Sequence, residues 1–134
     1  MKKPQNYIYP AVFNYDDKEI AVTFPDLDVA TSGIDRADAF SSARELLGVV
    51  MSGLEADGEV IPAPSMIRDL ALAPGEEAAL VDVFMPVYRD AERQRSVSRT
   101  VTLPAWLNAE AMARKVNFSQ VLQAALKDYL KTAG

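Results

Sequence analysis

The sequence contains neither cysteine nor histidine among its 134 residues. Without cysteine there can be no disulfide framework and no thiolate metal site, and without histidine the commonest general base and metal ligand is missing. No apolar run approaches the ~20 residues that a membrane span needs. The amino terminus lacks the apolar core and the small-residue cleavage site of a secretory signal. These absences favour a cytoplasmic protein with no bound metal or cofactor.

The formal net charge of −5 is divided unevenly along the chain. Residues 1–92 carry seven basic and seventeen acidic side chains, a balance of −10, whereas residues 93–134 carry seven basic and two acidic ones, a balance of +5. The basic tail suits DNA phosphates, and the acidic body should repel nucleic acid and attract a basic partner. A purely solubilising role would also explain the acidic body.

A short strand is predicted over residues 99–103, where polar and apolar side chains alternate. Val101 and Leu103 share one face of this strand, and small polar side chains occupy the other. Pro104 ends the strand and suits the first turn of a helix. A single strand has no partner for its backbone hydrogen bonds, and roughly three dozen residues make too small a core. We therefore expect a two-fold homodimer whose strands pair antiparallel beneath four helices.

Two helices are predicted after this strand, separated by a turn near Asn117. Asn117 suits the left-handed backbone conformation, and Ser119 is expected to cap the second helix. The expected dimer core combines apolar residues of the strand and both helices: Val101, Leu103, Leu107, Phe118, Leu122 and Leu126. The outward faces of the paired strands would form a polar ribbon whose shape fits the DNA major groove.

This segment resembles the ribbon-helix-helix DNA-binding domains in its Arg-Thr-Val-Thr-Leu-Pro strand and its Asn-Phe-Ser-Gln-Val-Leu turn. The resemblance implies that alternating strand residues read bases and that the start of the second helix clamps a phosphate. Strand propensity alone would also favour the two threonines. Arg99 has the inward parity, so a phosphate contact is expected for it. The implied DNA-binding residues are Ser98, Arg99, Thr100, Thr102, Asn117 and Ser119.

The amino-terminal part is predicted to follow the order β-β-β-α-β. Strands over residues 7–13 and 19–24 form a hairpin, and a long helix begins near Asp35 and ends at Gly58. Gly33, just before this helix, is expected to serve a backbone turn. The remaining segments are a short third strand over 29–32, an extended exit over 60–65, a surface loop over 66–77 and a strand over 78–87, where Pro86 indicates an edge or an end.

This part resembles the amino-terminal domain of HicB antitoxins through an ordered set of short motifs. They are YPAVF in the first strand, FPDL after the second, TSG before the helix and PAPS after it. The resemblance implies a partial ribonuclease-H-like fold that lacks catalysis and binds a small basic ribonuclease toxin, HicA. Many members have Phe-Pro-Asp-Leu-Pro-Gly at the loop, whereas here Asp28 and Val29 follow Leu27.

Together the resemblances predict an α+β chain with a toxin-binding domain over 1–88, a linker over 89–96 and a ribbon-helix-helix domain over 97–134. The predicted function is that of an antitoxin which neutralises a HicA-like mRNA interferase and represses its own operon by binding operator DNA. Candidate toxin contacts are Phe24, Asp26 and Asp28, although turn formation also explains the two aspartates. A homodimer is expected, and further pairing of dimers is left open.

Two other functions stay open. One is a stand-alone transcriptional regulator whose amino-terminal domain senses a small molecule. The other is a metal-dependent nuclease, because carboxylates crowd the first hairpin and the helix start: Asp16, Asp17, Asp26, Asp28, Asp35 and Asp38. Helix capping and turn formation explain most of these acids, and the first strand carries none. No catalytic residue is therefore expected.

Overall fold

The structure is a computed structural model that describes residues 3–16 and 18–133. The chain divides into two compact units, and the boundary along the sequence falls between Ser96 and Val97. The first unit contains β1 (Asn6–Asn14), β2 (Ile20–Phe24), β3 (Val29–Gly33), α1 (Arg36–Asp57), a single 3₁₀ turn (Ile67–Asp69), β4 (Glu76–Phe84) and α2 (Met85–Gln94). The second contains α3 (Ala105–Ala113) and α4 (Phe118–Ala133).

The strands of the first unit form one antiparallel sheet with the order β3-β2-β1-β4. The predicted hairpin is confirmed, because β1 pairs with β2 and Phe13 lies opposite Val22. The pairing of β1 with β4 is longer and extends from Asn6 opposite Phe84 to Asn14 opposite Glu76. The sheet therefore has β3 and β4 as its two edges.

The hydrophobic core lies between one face of this sheet and α1. Tyr9 and Phe13 of β1 are buried with Val83 of β4 against Leu47 and Met51 of the helix. Alternate strand residues point to the same face, so one apolar stripe on each strand suffices to cover the helix. The mixed α/β order predicted for this unit is confirmed.

Helix α1 begins and ends where its capping residues indicate. The Asp35 side chain accepts a hydrogen bond of 2.8 Å from the Asp38 amide, and Asp38 in turn accepts one of 2.8 Å from the Ile34 amide. Gly58 ends the helix with a φ of 66°, a left-handed conformation that glycine adopts without steric cost. Gly33 has a different function from the predicted turn: a Cβ there would lie 2.3 Å from the Ala39 nitrogen of α1.

The prediction for residues 78–96 was wrong in one respect. The strand ends at Phe84, and residues 85–94, expected to be the end of a strand and a linker, form helix α2 with Pro86 in its first turn. Two contacts with α1 hold this helix in place. The Tyr88 ring lies over Gly48, and Arg89 pairs with a glutamate of α1. Less exposed residues of α2 recur at helical spacing, at Met85, Tyr88, Arg89 and Glu92.

The second unit contains the two predicted helices, but its turn residues differ from the prediction. Lys115, with a φ of 54°, takes the left-handed conformation expected for Asn117. The Asn117 side chain instead accepts a 3.1 Å hydrogen bond from the Gln120 amide at the start of α4. Asn117 therefore caps this helix, and Ser119 lies within its first turn. Residues 95–104 have no regular secondary structure, so the predicted strand is not formed in the single chain.

Candidate functional site

The second unit has no buried residue among its described side chains, residues 97–131. The six residues expected to form a dimer core are each 39–53% exposed: Val101, Leu103, Leu107, Phe118, Leu122 and Leu126. Isolated apolar residues are common on protein surfaces, but a whole unit without a core is not stable by itself. Its apolar side chains therefore need a second surface to cover them.

The six predicted DNA-binding residues are all exposed. Four of them lie in the irregular segment before α3, namely Ser98, Arg99, Thr100 and Thr102. Asn117 and Ser119 come together at the amino terminus of α4, where unpaired backbone amides and the helix dipole favour an anion. The six residues are accessible, and they belong to two separate elements of the unit.

The three predicted toxin contacts have different environments in the first unit. Phe24 is completely buried in the core, so its prediction as a surface contact was wrong. The Asp26 carboxylate accepts hydrogen bonds from both the amide (2.9 Å) and the hydroxyl (2.5 Å) of Ser65. Asp28 alone is exposed, and it adopts a φ of 53° in the turn between β2 and β3.

The bond between Asp26 and Ser65 joins two of the sequence motifs, FPDL and PAPS, across 39 positions of the chain. A second bond from the Tyr9 hydroxyl to the Pro62 carbonyl fixes the same exit segment to β1. These motifs hold the loop after β2 against the chain that leaves α1. Asp26 therefore acts in the fold of this unit.

Sequence reasoning missed a buried ion pair between Glu55 of α1 and Arg89 of α2. The guanidinium donates two hydrogen bonds of 2.8 Å to the carboxylate, and a third of 2.6 Å to the Pro4 carbonyl. The Tyr7 hydroxyl donates to the same carboxylate at 2.8 Å. The Glu55 side chain is only 4% exposed. A glutamate among the apolar residues at the end of α1 was the one sequence signal for it.

Burial and these hydrogen bonds shift the pKa values of all three side chains in the network, and the bond to Glu55 raises the pKa of Arg89. The hydrogen bonds from Arg89 hold the pKa of Glu55 below its usual value. Desolvation, followed by the bond to Glu55, raises the pKa of Tyr7 to about 12. Glu55 and Arg89 line a cleft of about 430 Å³ together with Lys3, Asp90 and Arg93. Because its charges are paired with one another, the arrangement stabilises the packing of α2.

The described part of the chain offers no metal site and no membrane-spanning helix. Residues 3–16 and 18–133 contain no group of three or more acidic side chains placed to hold a metal ion. None of the helices in the same ranges is both long and apolar enough to span a membrane.

No family model matches the chain, and no curated protein does. Several chains of solved structures are similar to it, two of which are described here. One is a toxin–antitoxin complex from Streptococcus pneumoniae, with 27% identity and a TM-score of 0.65 over 92% of this chain and 99% of that one. The other is the antitoxin HicB from Burkholderia pseudomallei, with 25% identity and a TM-score of 0.53 over 90% of this chain and 96% of that one. Each match includes residues of both compact units.

Proposed function

Since this chain is similar over nearly its whole length to a chain of a toxin–antitoxin complex and to an antitoxin HicB, we propose that it is the antitoxin of a HicA-like ribonuclease and the repressor of their operon. The first unit binds and blocks the toxin, and the second unit, as a dimer, binds operator DNA. The observation that carries the proposal is that one chain combines a compact acidic unit with a basic unit whose described side chains form no core. A ribonuclease toxin and operator DNA would both be met in the cytoplasm, so we place the proposed activity there.

The dimer we propose is a ribbon-helix-helix. Residues 99–103 of two chains pair as antiparallel strands, which covers Val101 and Leu103 with the second chain. Their exposure in the single chain, 53% and 39%, supports this arrangement. Thr100 and Thr102 alternate with these residues and lie on the other face of the ribbon. That face enters the major groove, where the threonine hydroxyl and methyl groups contact bases.

The phosphate contacts come from the ends of this ribbon and from helix α4. Arg99 lies beside the base-reading residues and supplies a positive charge. The amides at the start of α4, with Asn117 and Ser119, hold a second phosphate. These contacts set the register of the dimer on the operator and make binding dependent on salt.

The proposed role of the first unit is stoichiometric and not catalytic. Helix α1 covers one face of the four-stranded sheet, which supports the partial ribonuclease-H-like fold that we propose for this unit. Three of the six carboxylates that suggested a nuclease have roles in the fold, since Asp26 binds Ser65, and Asp35 and Asp38 cap α1. Asp17 lies outside the described residues. The net charge of this unit suits a basic protein that must itself bind RNA.

The antitoxin role predicts a gene for a small basic protein next to that of this chain, and co-expression of the two proteins tests it. We expect the neighbour to arrest growth when expressed alone, growth to resume when the chain is co-expressed, and the two proteins to co-purify. A chain that purifies without a protein partner and does not relieve the arrest would favour the regulator that senses a small molecule.

The operator role is tested by replacing Thr100 and Thr102 with alanine. We expect each base interaction removed in the double variant to cost on the order of 1–3 kcal/mol of preference for the operator over random DNA. Binding to the toxin should be unchanged. Thr23→Ala, at an exposed threonine of β2, is the matched control. An unchanged operator preference in the double variant would show that the threonines do not face the groove.

A further inference from the structure

Three large apolar side chains lie together on the sheet face that α1 does not cover. Ile8 of β1 is 51% exposed, and Leu80 and Phe84 of β4 are 58% and 51% exposed. Their positions in the strands alternate with core residues such as Tyr9 and Val83, so they point to the opposite face. We call these three residues the outer patch.

The strand register makes the outer patch contiguous. Ile8 lies opposite Asp82, so Leu80 and Phe84 are its two diagonal neighbours on the same face. Pro10, the residue opposite Leu80, is buried. A single exposed apolar residue needs no explanation, but adjacent ones on one sheet face mark an interaction surface.

The neighbouring edge of the sheet is occupied by Arg44 of α1. Its Nε donates a 3.0 Å hydrogen bond to the Asp82 carbonyl, and its guanidinium also pairs with the Asp82 carboxylate at 3.1 Å. A free carbonyl on an edge strand is a template for strand addition, and Arg44 blocks it. A partner can therefore reach β4 across its face more easily than along its edge.

The charge of the first unit decides between two occupants of the outer patch. A second copy would bring two acidic units together, each with a balance of −10 over residues 1–92, and they would repel. A basic protein would be attracted, and it would find the Asp82 carboxylate between the apolar side chains. Asp82 is more than half exposed even in its pair with Arg44, so a cation can reach it.

We propose that the outer patch is the surface on which the basic toxin docks. An apolar side chain of the toxin packs between Leu80 and Phe84, and a neighbouring lysine or arginine of the toxin pairs with Asp82. This inference rests on the proposed antitoxin function and moves the toxin site away from the loop that contains Phe24 and Asp26. Two of the three residues predicted to contact the toxin there are unsuited to it, because Phe24 is buried and Asp26 is bonded to Ser65.

The test compares Leu80→Arg with Val49→Arg in the full chain. Val49 is a matched control because it is 62% exposed on α1, on the opposite side of the sheet, and lines an apolar groove beside α2. The probe is the purified basic protein encoded next to this chain, and titration calorimetry gives its dissociation constant. We expect Leu80→Arg to weaken binding by about 30-fold or more, as for a central interface residue, and Val49→Arg to change it little.

Two further measurements separate misfolding from impaired docking. Thermal unfolding and operator binding should match the wild type in Leu80→Arg, because its side chain is already exposed. Phe84→Ser is a second variant that adds no charge and should also weaken binding. In the wild-type complex, we expect bound toxin to slow hydrogen exchange within residues 78–84.

The possible results distinguish a wrong docking surface from a wrong antitoxin role. If Val49→Arg abolishes binding and Leu80→Arg does not, the groove beside α2 is the toxin site and the outer patch is not. If protection appears along β3 instead, the toxin adds a strand at the other edge, which also overturns the proposal. If Leu80→Arg changes only the self-association of the chain, the occupant is a second copy. A wild-type chain that does not bind the neighbouring protein would refute both the antitoxin role and the docking surface.

Discussion

At the scale of single residues, Glu55 is the most deeply buried of the ion-paired side chains described in the first unit. Its side chain is 4% exposed, that of Arg89 is 23% exposed, and the two meet through a pair of parallel hydrogen bonds. Removal of one partner from such a pair leaves the other charge poorly solvated. The packing of α2 on α1 therefore depends on the carboxylate of Glu55.

We predict that Glu55→Gln destabilises the protein by about 3 kcal/mol at neutral pH. The folded pKa of Glu55 lies below its usual value, so the ion pair contributes stability above that usual value and loses it as the pH falls through the folded pKa. The difference between variant and wild type should consequently shrink in acid. Urea unfolding followed by circular dichroism across this pH range measures the difference.

Glu45→Gln is the control for this prediction, because Glu45 is an exposed glutamate on the same helix. Its stability should stay within about 0.5 kcal/mol of the wild type, the usual range for surface substitutions. A Glu55→Gln difference that does not vary with pH would show that altered packing, and not the missing charge, explains the effect.

We also predict opposite effects for two glycine-to-alanine substitutions. Gly33→Ala places a Cβ 2.3 Å from the Ala39 backbone nitrogen and 2.5 Å from its Cα, so β3 and α1 must separate. This should cost about 2 kcal/mol or more, as in other overpacked sites. Gly53→Ala meets no atom within 4 Å inside α1 and should stabilise the helix by about 1 kcal/mol. Chemical denaturation of both variants measures these changes in stability. An equal change in the free energy of unfolding for the two variants would contradict the close approach at Gly33.

At the scale of secondary structure, local signals predicted the elements that local chemistry determines. Asp35 and Gly58 defined α1 because capping depends on residues within one turn of the helix end. Helix α2 is amphipathic, but its residues were divided between the expected end of a strand and a linker, and the partners of Tyr88 and Arg89 lie tens of residues away. The choice between Asn117 and Ser119 as the cap was wrong by two positions, which is the usual uncertainty of a helix end.

The candidate sites also include some that local sequence could indicate and others that depend on distant parts of the chain. Thr100 and Val101 are both exposed in the single chain, where the strand is not formed, so the predicted alternation of faces stays a prediction. Phe24 was misjudged because a motif that carries a family resemblance does not distinguish residues of the fold from residues of the interface. The outer patch could not be predicted from β1 and β4 separately, since only their register brings Ile8 next to Leu80 and Phe84.

The predicted ribbon makes a testable distinction between neighbouring residues of the segment before α3. Val101→Lys places a charge at the strand pairing and should abolish the dimer and reduce helix content, because α3 and α4 lose their cover. Thr100→Lys alters the outward face and should leave the dimer intact. Analytical ultracentrifugation with circular dichroism measures both properties. Dimers that persist in Val101→Lys, or are absent in Thr100→Lys, would contradict the assigned faces.

At the scale of the whole molecule, the division of charge allows two different partners on one chain. The basic charge of the second unit suits DNA and the acidic charge of the first opposes it, so the proposed operator contact through residues 97–134 would leave the acidic unit free for a basic protein. A dimer would carry two toxin-binding units for each ribbon. If two such dimers bind adjacent half-sites, each tethered copy raises the effective concentration of the next.

The last prediction separates charge from sequence reading in DNA binding. Operator affinity of the full-length dimer should fall steeply with salt, because bound phosphates release their counterions. Arg99→Ala should reduce the slope of log K against log salt concentration by about 0.9 for each phosphate that the dimer no longer neutralises. The double replacement of Thr100 and Thr102 should leave this slope unchanged while it lowers the preference for the operator. Fluorescence anisotropy at several salt concentrations measures both quantities. An affinity that does not respond to salt would refute the DNA-binding role of the second unit, and a changed slope in the threonine variant would show that those residues bind phosphates.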